Sequence, residues 1–276
     1  MIKRLFASQL RINMFSGVAA AIVNGIVLAV AYPIYLHFLG YEEYGVWLVL
    51  AAVLSFAQLG NLGIGRAVMK LVAEEHGRGN VEGSQQYLMT AIAILVVTGM
   101  AVLAVILLFK SEIAGLFKLT GDNTRTVLWL LPYIGCLSIY VLVVQALNAA
   151  VSGVGRMDLA NWTQSLGRIV AVTTASCLLY SGRGIESLLI GNTLSYALVH
   201  LVSMALLWRL AHMRLLRLRN LSRRCCGRLF RFGFGVFGGS LLNMFLSPFN
   251  KLMLSRYAGV SAIPVYEIAY NGSMQV

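Results

Sequence analysis

Arg168 stands about six residues into an apolar run over 162–181, roughly 9 Å along a helix at about 1.5 Å per residue. A guanidinium keeps its charge at any relevant pH and offers a planar fork to paired oxygen acceptors such as those of phosphate. Its long stem also lets it reach back to a headgroup layer, and both readings stay open. Arg66 ends another apolar run and Lys251 lies near the end of a third, where anchoring at an interface competes with ligand contact. Asn24, Asn61 and Gln164, with Gln58, Asn192, His200 and Asn243, can exchange hydrogen bonds with hydroxyl groups or tie one helix to another. Asn24 and Asn61 are the stronger candidates among them. No Ser/His/Asp set, paired carboxylates or phosphate-binding loop is present, and the four histidines have no metal-ligand spacing, so no catalytic residue, cofactor or metal is assigned and the chain is read as a non-enzyme. Gly233, Gly235 and Gly238 spell a dinucleotide fingerprint but no strand precedes them. Close helix packing explains them better, with Gly235 and Gly239 at the spacing that lets membrane helices approach.

The elements that carry these residues follow from composition. Of 276 residues, 59% are hydrophobic and 12% charged, too few charges to cover a water-soluble surface. Crossing a hydrocarbon core takes about 20 apolar residues in a helix, and seven such runs are present, at 14–36, 46–65, 87–109, 127–152, 162–181, 186–208 and 232–254. They are too long and too continuously apolar for barrel strands, so the fold class is all-α, a polytopic transmembrane helix bundle. The first run has no small-residue cleavage site after it and is read as an uncleaved span. Cys136 and Cys177 fall inside spans and Cys225 and Cys226 in a basic segment, which makes no disulfide framework.

Lysine and arginine divide unequally between alternate connections. Fifteen lie on the side of the N-terminus and four, Lys110, Lys118, Arg125 and Arg183, on the other. The positive-inside rule then puts the N-terminus in the cytoplasm and accounts for the net charge of +12 without nucleic acid. Eight of the fifteen are arginines between Arg209 and Arg231, a leucine- and arginine-rich segment suited to lie in the interface and to link two halves. Docking of a cytoplasmic glycosyltransferase there is the alternative use.

LGYEEYGVW (39–47) follows the first span and AGVSAIPVY (258–266) follows the seventh. Gly40 pairs with Gly259, Gly45 with Pro264 and Trp47 with Tyr266, all 219 residues apart. Six spans precede the match, so the seventh opens a second lobe oriented like the first, a parallel repeat. The expected organisation is a six-helix lobe over 1–208, a basic amphipathic linker over 209–231, and the start of a second lobe over 232–276, with an eighth span beginning near Tyr266. A complete repeat needs roughly twice the offset, so the chain is expected to be truncated.

AYPIYLHFLGYEEYGVW, followed by LGNLGIGRAVMKLVAEE, resembles the opening of polysaccharide biosynthesis (O-antigen flippase) proteins, and FNKLMLSRYAGVSAIPVYEIA is similar to the start of their second lobe. These belong to the multidrug/oligosaccharidyl-lipid/polysaccharide exporter superfamily. The resemblance implies a twelve- to fourteen-span transporter of two lobes around a central cavity, in a bacterial inner membrane. The implied cargo is an undecaprenyl-diphosphate-linked oligosaccharide for O-antigen, capsule or exopolysaccharide. Membrane lipid and that lipid-linked oligosaccharide are the expected partners, with a polysaccharide polymerase or glycosyltransferases as further ones and no nucleic acid. A diphosphate crossing hydrocarbon needs a cationic or hydrated path. Arg168 leads for that role, then Arg66 and Lys251, with Asn24, Asn61 and Gln164 facing the sugars. Asn61 and Asn250 stand where many relatives would carry aspartate, which puts carboxylate coupling there in doubt. The competing readings are a multidrug antiporter of the same superfamily, a membrane-bound glycosyltransferase or polymerase, and a truncated product that transports nothing.

Overall fold

A backbone that leaves the helical region at two glycines 219 residues apart organises the molecule. In the computed structural model, which describes residues 2–117, 122–213 and 221–274, Gly40 has φ 70° and ψ 179° and Gly259 has φ 87° and ψ 161°. This region of backbone space is essentially closed to residues with a Cβ. The two residues that the repeat pairs therefore make the same turn. The matched segments also pack on each other: a Cβ at Gly45 would collide with the backbone carbonyl of Val260.

Helix α1 (Ile2–Ala57) is two helical segments joined at Gly40. It leads through a 3₁₀ turn (Gln58–Asn61) and two left-handed residues, Leu62 and Gly63, into α2 (Ile64–Gly77). Then come α3 (Val81–Leu108), the short α4 (Lys110–Leu116), α5 (Asp122–Gly153), α6 (Met157–Tyr180) and α7 (Glu186–Ala211). Helix α8 (Arg223–Ala258), a 3₁₀ turn (Val260–Ala262) and α9 (Ile263–Met274) follow. No strand occurs among the described residues. The stretches Gln9–Ser55, Val81–Leu108, Asn123–Gly153 and Glu186–Ala211 are long and apolar enough to cross a membrane. The chain is a multi-pass helical bundle.

Three details depart from the sequence reading. The run 46–65 is interrupted, and what looked like a charged loop after it is helix α2, which buries Ile64, Val68, Leu71 and Val72. Arg66 is thus the third residue of α2 and exposed, rather than the end of a span. Residues 223–231, expected in an interfacial helix, are the first turns of α8, and Cys225 and Leu229 bury into a core cluster with Leu71, Tyr87 and Leu207. Residues 214–220 of that basic segment, Lys118, and the side chain of Asn243 lie outside what the structure describes. Finally, the close glycine of α8 is Gly233, whose backbone meets that of Gly63, while Gly235 and Gly238 face open space. Three glycines at such spacing cannot say by themselves which one faces the neighbour.

Helices α6 and α7 approach through glycine. A Cβ on Gly191 would lie 2.6 Å from the Ala171 carbonyl oxygen, and one on Gly167 would lie 2.6 Å from Val199 Cγ2. In a membrane, where neither lipid nor helix gains by excluding water from the other, such close backbone packing is a main source of cohesion. Gly191→Leu should lower the melting temperature of the purified protein, because overpacking costs about 1–3 kcal/mol. Gly235→Ala should leave it unchanged. Equal melting of the two variants would refute this assignment of the contact.

Candidate functional site

Helices α1, α5, α6, α7 and the turn after α1 surround a cavity of about 430 Å³ lined largely by polar groups. Helix α6 contributes Gln164 and Arg168, one turn apart and so on one face, and Asn24 faces them from α1. Gln58, Gln145, Asn148, Asn192, Ser195 and Tyr196 complete the polar lining. Arg168 is the one cation among the described lining residues. Because α6 begins at Met157, Arg168 is the twelfth of its 24 residues, roughly 17 Å from the helix start at about 1.5 Å per residue. That is about twice the depth its sequence position suggested, and it makes a reach back to the headgroups harder.

The lining has spare acceptors. Asn24 Oδ1 and Asn148 Oδ1 are buried and accept no hydrogen bond from the protein. Gln145 is held in a chain: it donates to Gln58 Oε1 at 3.2 Å and accepts from Asn61 Nδ2 at 3.4 Å. Asn61 also accepts from the Gly65 backbone N–H at 3.0 Å, capping the start of α2. Asn61 therefore stands behind the cavity wall and orients Gln145. His200 lies outside the lining, its ring stacked on Tyr140 at 5.6 Å. Gln145 and Asn148 were missed in the sequence although VLVVQALNAA shows them three residues apart in an apolar run; that spacing, one helical face, was the available signal.

The other candidate cations are elsewhere. Arg66 is not part of the cavity. Lys251 is buried at 6% exposure and its Nζ sits 2.9 Å from Glu267 Oε2, linking α8 to α9. One residue earlier on each helix, Asn250 Nδ2 donates to the Tyr266 hydroxyl at 2.7 Å.

At the end of the bundle carrying the N-terminus, the turn between α5 and α6 is tied to α1. Asn13 accepts from the Asp158 backbone N–H and donates to the Gly155 carbonyl, while Gln9 and Arg156 both donate to the Asp158 carboxylate. The Arg156 guanidinium holds the Asp158 carboxyl below the usual carboxylate range. A depressed carboxyl contributes stability that is present above its unfolded pKa and is lost as pH falls through its folded one. Asp158→Asn should therefore flatten the acid limb of the stability-against-pH curve and leave the alkaline limb unmoved, read as melting temperature across acid and neutral buffers. An unchanged acid limb would show that the tie carries no stability.

The multi-pass helical bundle is shared with solved structures. A multidrug and toxin extrusion (MATE) protein in complex with MaD3S superimposes with a TM-score of 0.70 at 15% identity, over 98% of this chain and 61% of that one. The inward-facing form of a multidrug resistance MATE family transporter of the MOP superfamily gives 0.69 at 17% identity, over 92% and 61%. A MOP superfamily transporter from Pyrococcus furiosus, described as having a binding pocket of reversed polarity that suggests a different function, gives 0.58 at 17% identity, over 98% and 59%. The chain thus spans about three-fifths of these neighbours' lengths. No curated protein matches it. The chain belongs to the polysaccharide biosynthesis protein family, whose profile matches residues 10–276.

Proposed function

We propose that the chain is the first lobe and the opening of the second in a flippase that carries undecaprenyl-diphosphate-linked oligosaccharide across a bacterial inner membrane, with its N-terminus in the cytoplasm. The observation that carries this reading is Arg168, at mid-helix and facing a polar cavity. A fixed charge at that depth is costly unless a ligand or water uses it. Its fork suits a phosphate oxygen pair. Asn24, Gln164 and Asn148 offer carbonyl acceptors and amide donors to sugar hydroxyls, and the two unpartnered carbonyl oxygens support that assignment. Family membership supports the cargo class. Arg66 and Lys251 have no part in this path.

The structural neighbours named for multidrug resistance favour a second reading, drug export. An arginine in the cavity counts against a cationic drug by like-charge repulsion. The experiment that separates the two expresses the full-length protein in a strain lacking its polysaccharide flippase and measures surface polysaccharide and drug tolerance together. Restored polysaccharide at unchanged tolerance is expected. Raised tolerance without polysaccharide would overturn the flippase reading.

A further inference from the structure

We infer that the far end of the first lobe carries a saccharide-binding site separate from the Arg168 cavity. The turn after Gly40, the start of α5 and the turn between α6 and α7 line a second, open-sided cavity of about 430 Å³. Its lining includes Glu43, Asn123, Arg125, Thr126, Trp129 and Glu186. Asn123, Thr126 and Trp129 recur every three residues, which places them along one stretch of the α5 surface. Trp129 leaves 51% of its surface exposed and its ring leans on Tyr133 with centroids 5.4 Å apart, so the indole is braced from one side. Asn123 Nδ2 donates to Glu42 Oε1 at 2.7 Å, which fixes the amide beside Glu43.

This donor set selects a ligand class. Two carboxylates accept from neighbouring hydroxyls, an amide and a guanidinium donate to them, and an indole face covers the C–H side of a pyranose ring. Arg125 opposes a metal cation and the two glutamates oppose a free phosphate. No group of three or more His, Cys, Asp or Glu side chains able to hold a metal occurs among the described residues. Trp129 as a simple interfacial anchor does not explain why five hydrogen-bonding side chains share its cavity.

The two cavities share α1, α5 and α7 but no lining residue. Along α5, Trp129 and Val144 are 15 residues, or roughly 22 Å, apart. Fully buried Leu130, Leu131 and Ile134 lie in the intervening stretch. The far site thus takes sugar units beyond the diphosphate and the sugars next to it, and identifying that glycan as part of the transported lipid rests on the flippase reading.

The test is saturation-transfer NMR on the purified full-length protein in a sugar-free detergent, with maltotriose, chitotriose and mannotriose as probes. Transfer to pyranose C–H protons from at least one is expected. Trp129→Ala should weaken that binding about tenfold, the scale of one lost aromatic contact. Glu186→Gln should weaken it too, while Arg168→Ala should leave it intact. Both Trp129 and Arg168 are exposed, so neither substitution empties a core. No transfer from any of the three probes, or transfer that Trp129→Ala does not change, overturns the site. If Arg168→Ala transports normally while Trp129→Ala loses the saccharide, the diphosphate path fails and this site stands.

Discussion

On the flippase reading, Arg168→Ala should cut transport of lipid-linked oligosaccharide by the full-length protein at least about tenfold, with little change in melting temperature. Hydrogen bonds to charged groups are worth about 1.5–3 kcal/mol, which corresponds to roughly 10- to 150-fold in rate or affinity. The folded bundle itself should tolerate the change, because the side chain is exposed to the cavity and makes no ion pair with another described residue. Arg168→Lys is the informative companion. It keeps the charge and loses the fork, so it should recover part of the activity if a diphosphate is held through paired oxygens, and nearly all of it if only a positive potential is needed. The measurement is the amount of surface polysaccharide in a complemented flippase-null strain, normalised to membrane protein level. Alanine at 168 matching the parent would remove the cationic path and leave the cavity without an anion-binding role.

That Arg168 could be singled out at all reflects how membrane sequences expose their exceptions. Against a background of leucine, valine and alanine a single guanidinium stands out, and its partners Asn24 and Gln164 do so for the same reason. The turn glycines were legible too, because Gly40 and Gly259 adopt backbone angles that glycine alone tolerates, and the same geometry recurs at the 219-residue offset. Less legible were features that depend on what lies opposite. Helix α2 carries Arg66, Lys70, Glu74 and Glu75 and so reads as a loop, although Glu75 is buried and bound by Arg78 and Asn80. The arginine-rich start of α8 reads as interfacial, yet Arg228 donates to the Tyr87 hydroxyl at 2.7 Å and pairs with Glu74 at 3.4 Å, while Leu229 between such charges is fully buried. Charge counts describe the outer face of a helix; the buried stripe beneath is only about three or four residues in every two turns, and it is diluted by its neighbours. Lys251 shows the same limit, since its meaning depends on Glu267, sixteen residues away across a turn.

Glu267→Gln should destabilise the protein by about 3–5 kcal/mol, the usual cost of leaving one member of a buried pair without its counter-charge. Side-chain exposure is 7% for Lys251 and 15% for Glu267, so water can compensate little. The repeat predicts how to restore what is lost. Shifted by 219 residues, Lys251 and Glu267 fall on Tyr32 and Leu48, both buried in the apolar cluster that also holds Tyr44 and Leu130. At the earlier pair of positions the turn is flanked by uncharged buried side chains, with the Tyr32 ring edge-on to Tyr44, where the later pair is ionic. Replacing a buried pair by well-packed apolar residues is often neutral or better, whereas breaking it is not. The double variant Lys251→Tyr, Glu267→Leu should therefore melt within a few degrees of the parent, and each single variant well below it. This comparison, made by thermal unfolding in detergent, separates a structural clasp from a charge needed for transport. If the double variant is stable and also restores polysaccharide, the pair only joins α8 to α9. A stable but inactive double variant would mean that the ionic character of this turn takes part in transport itself.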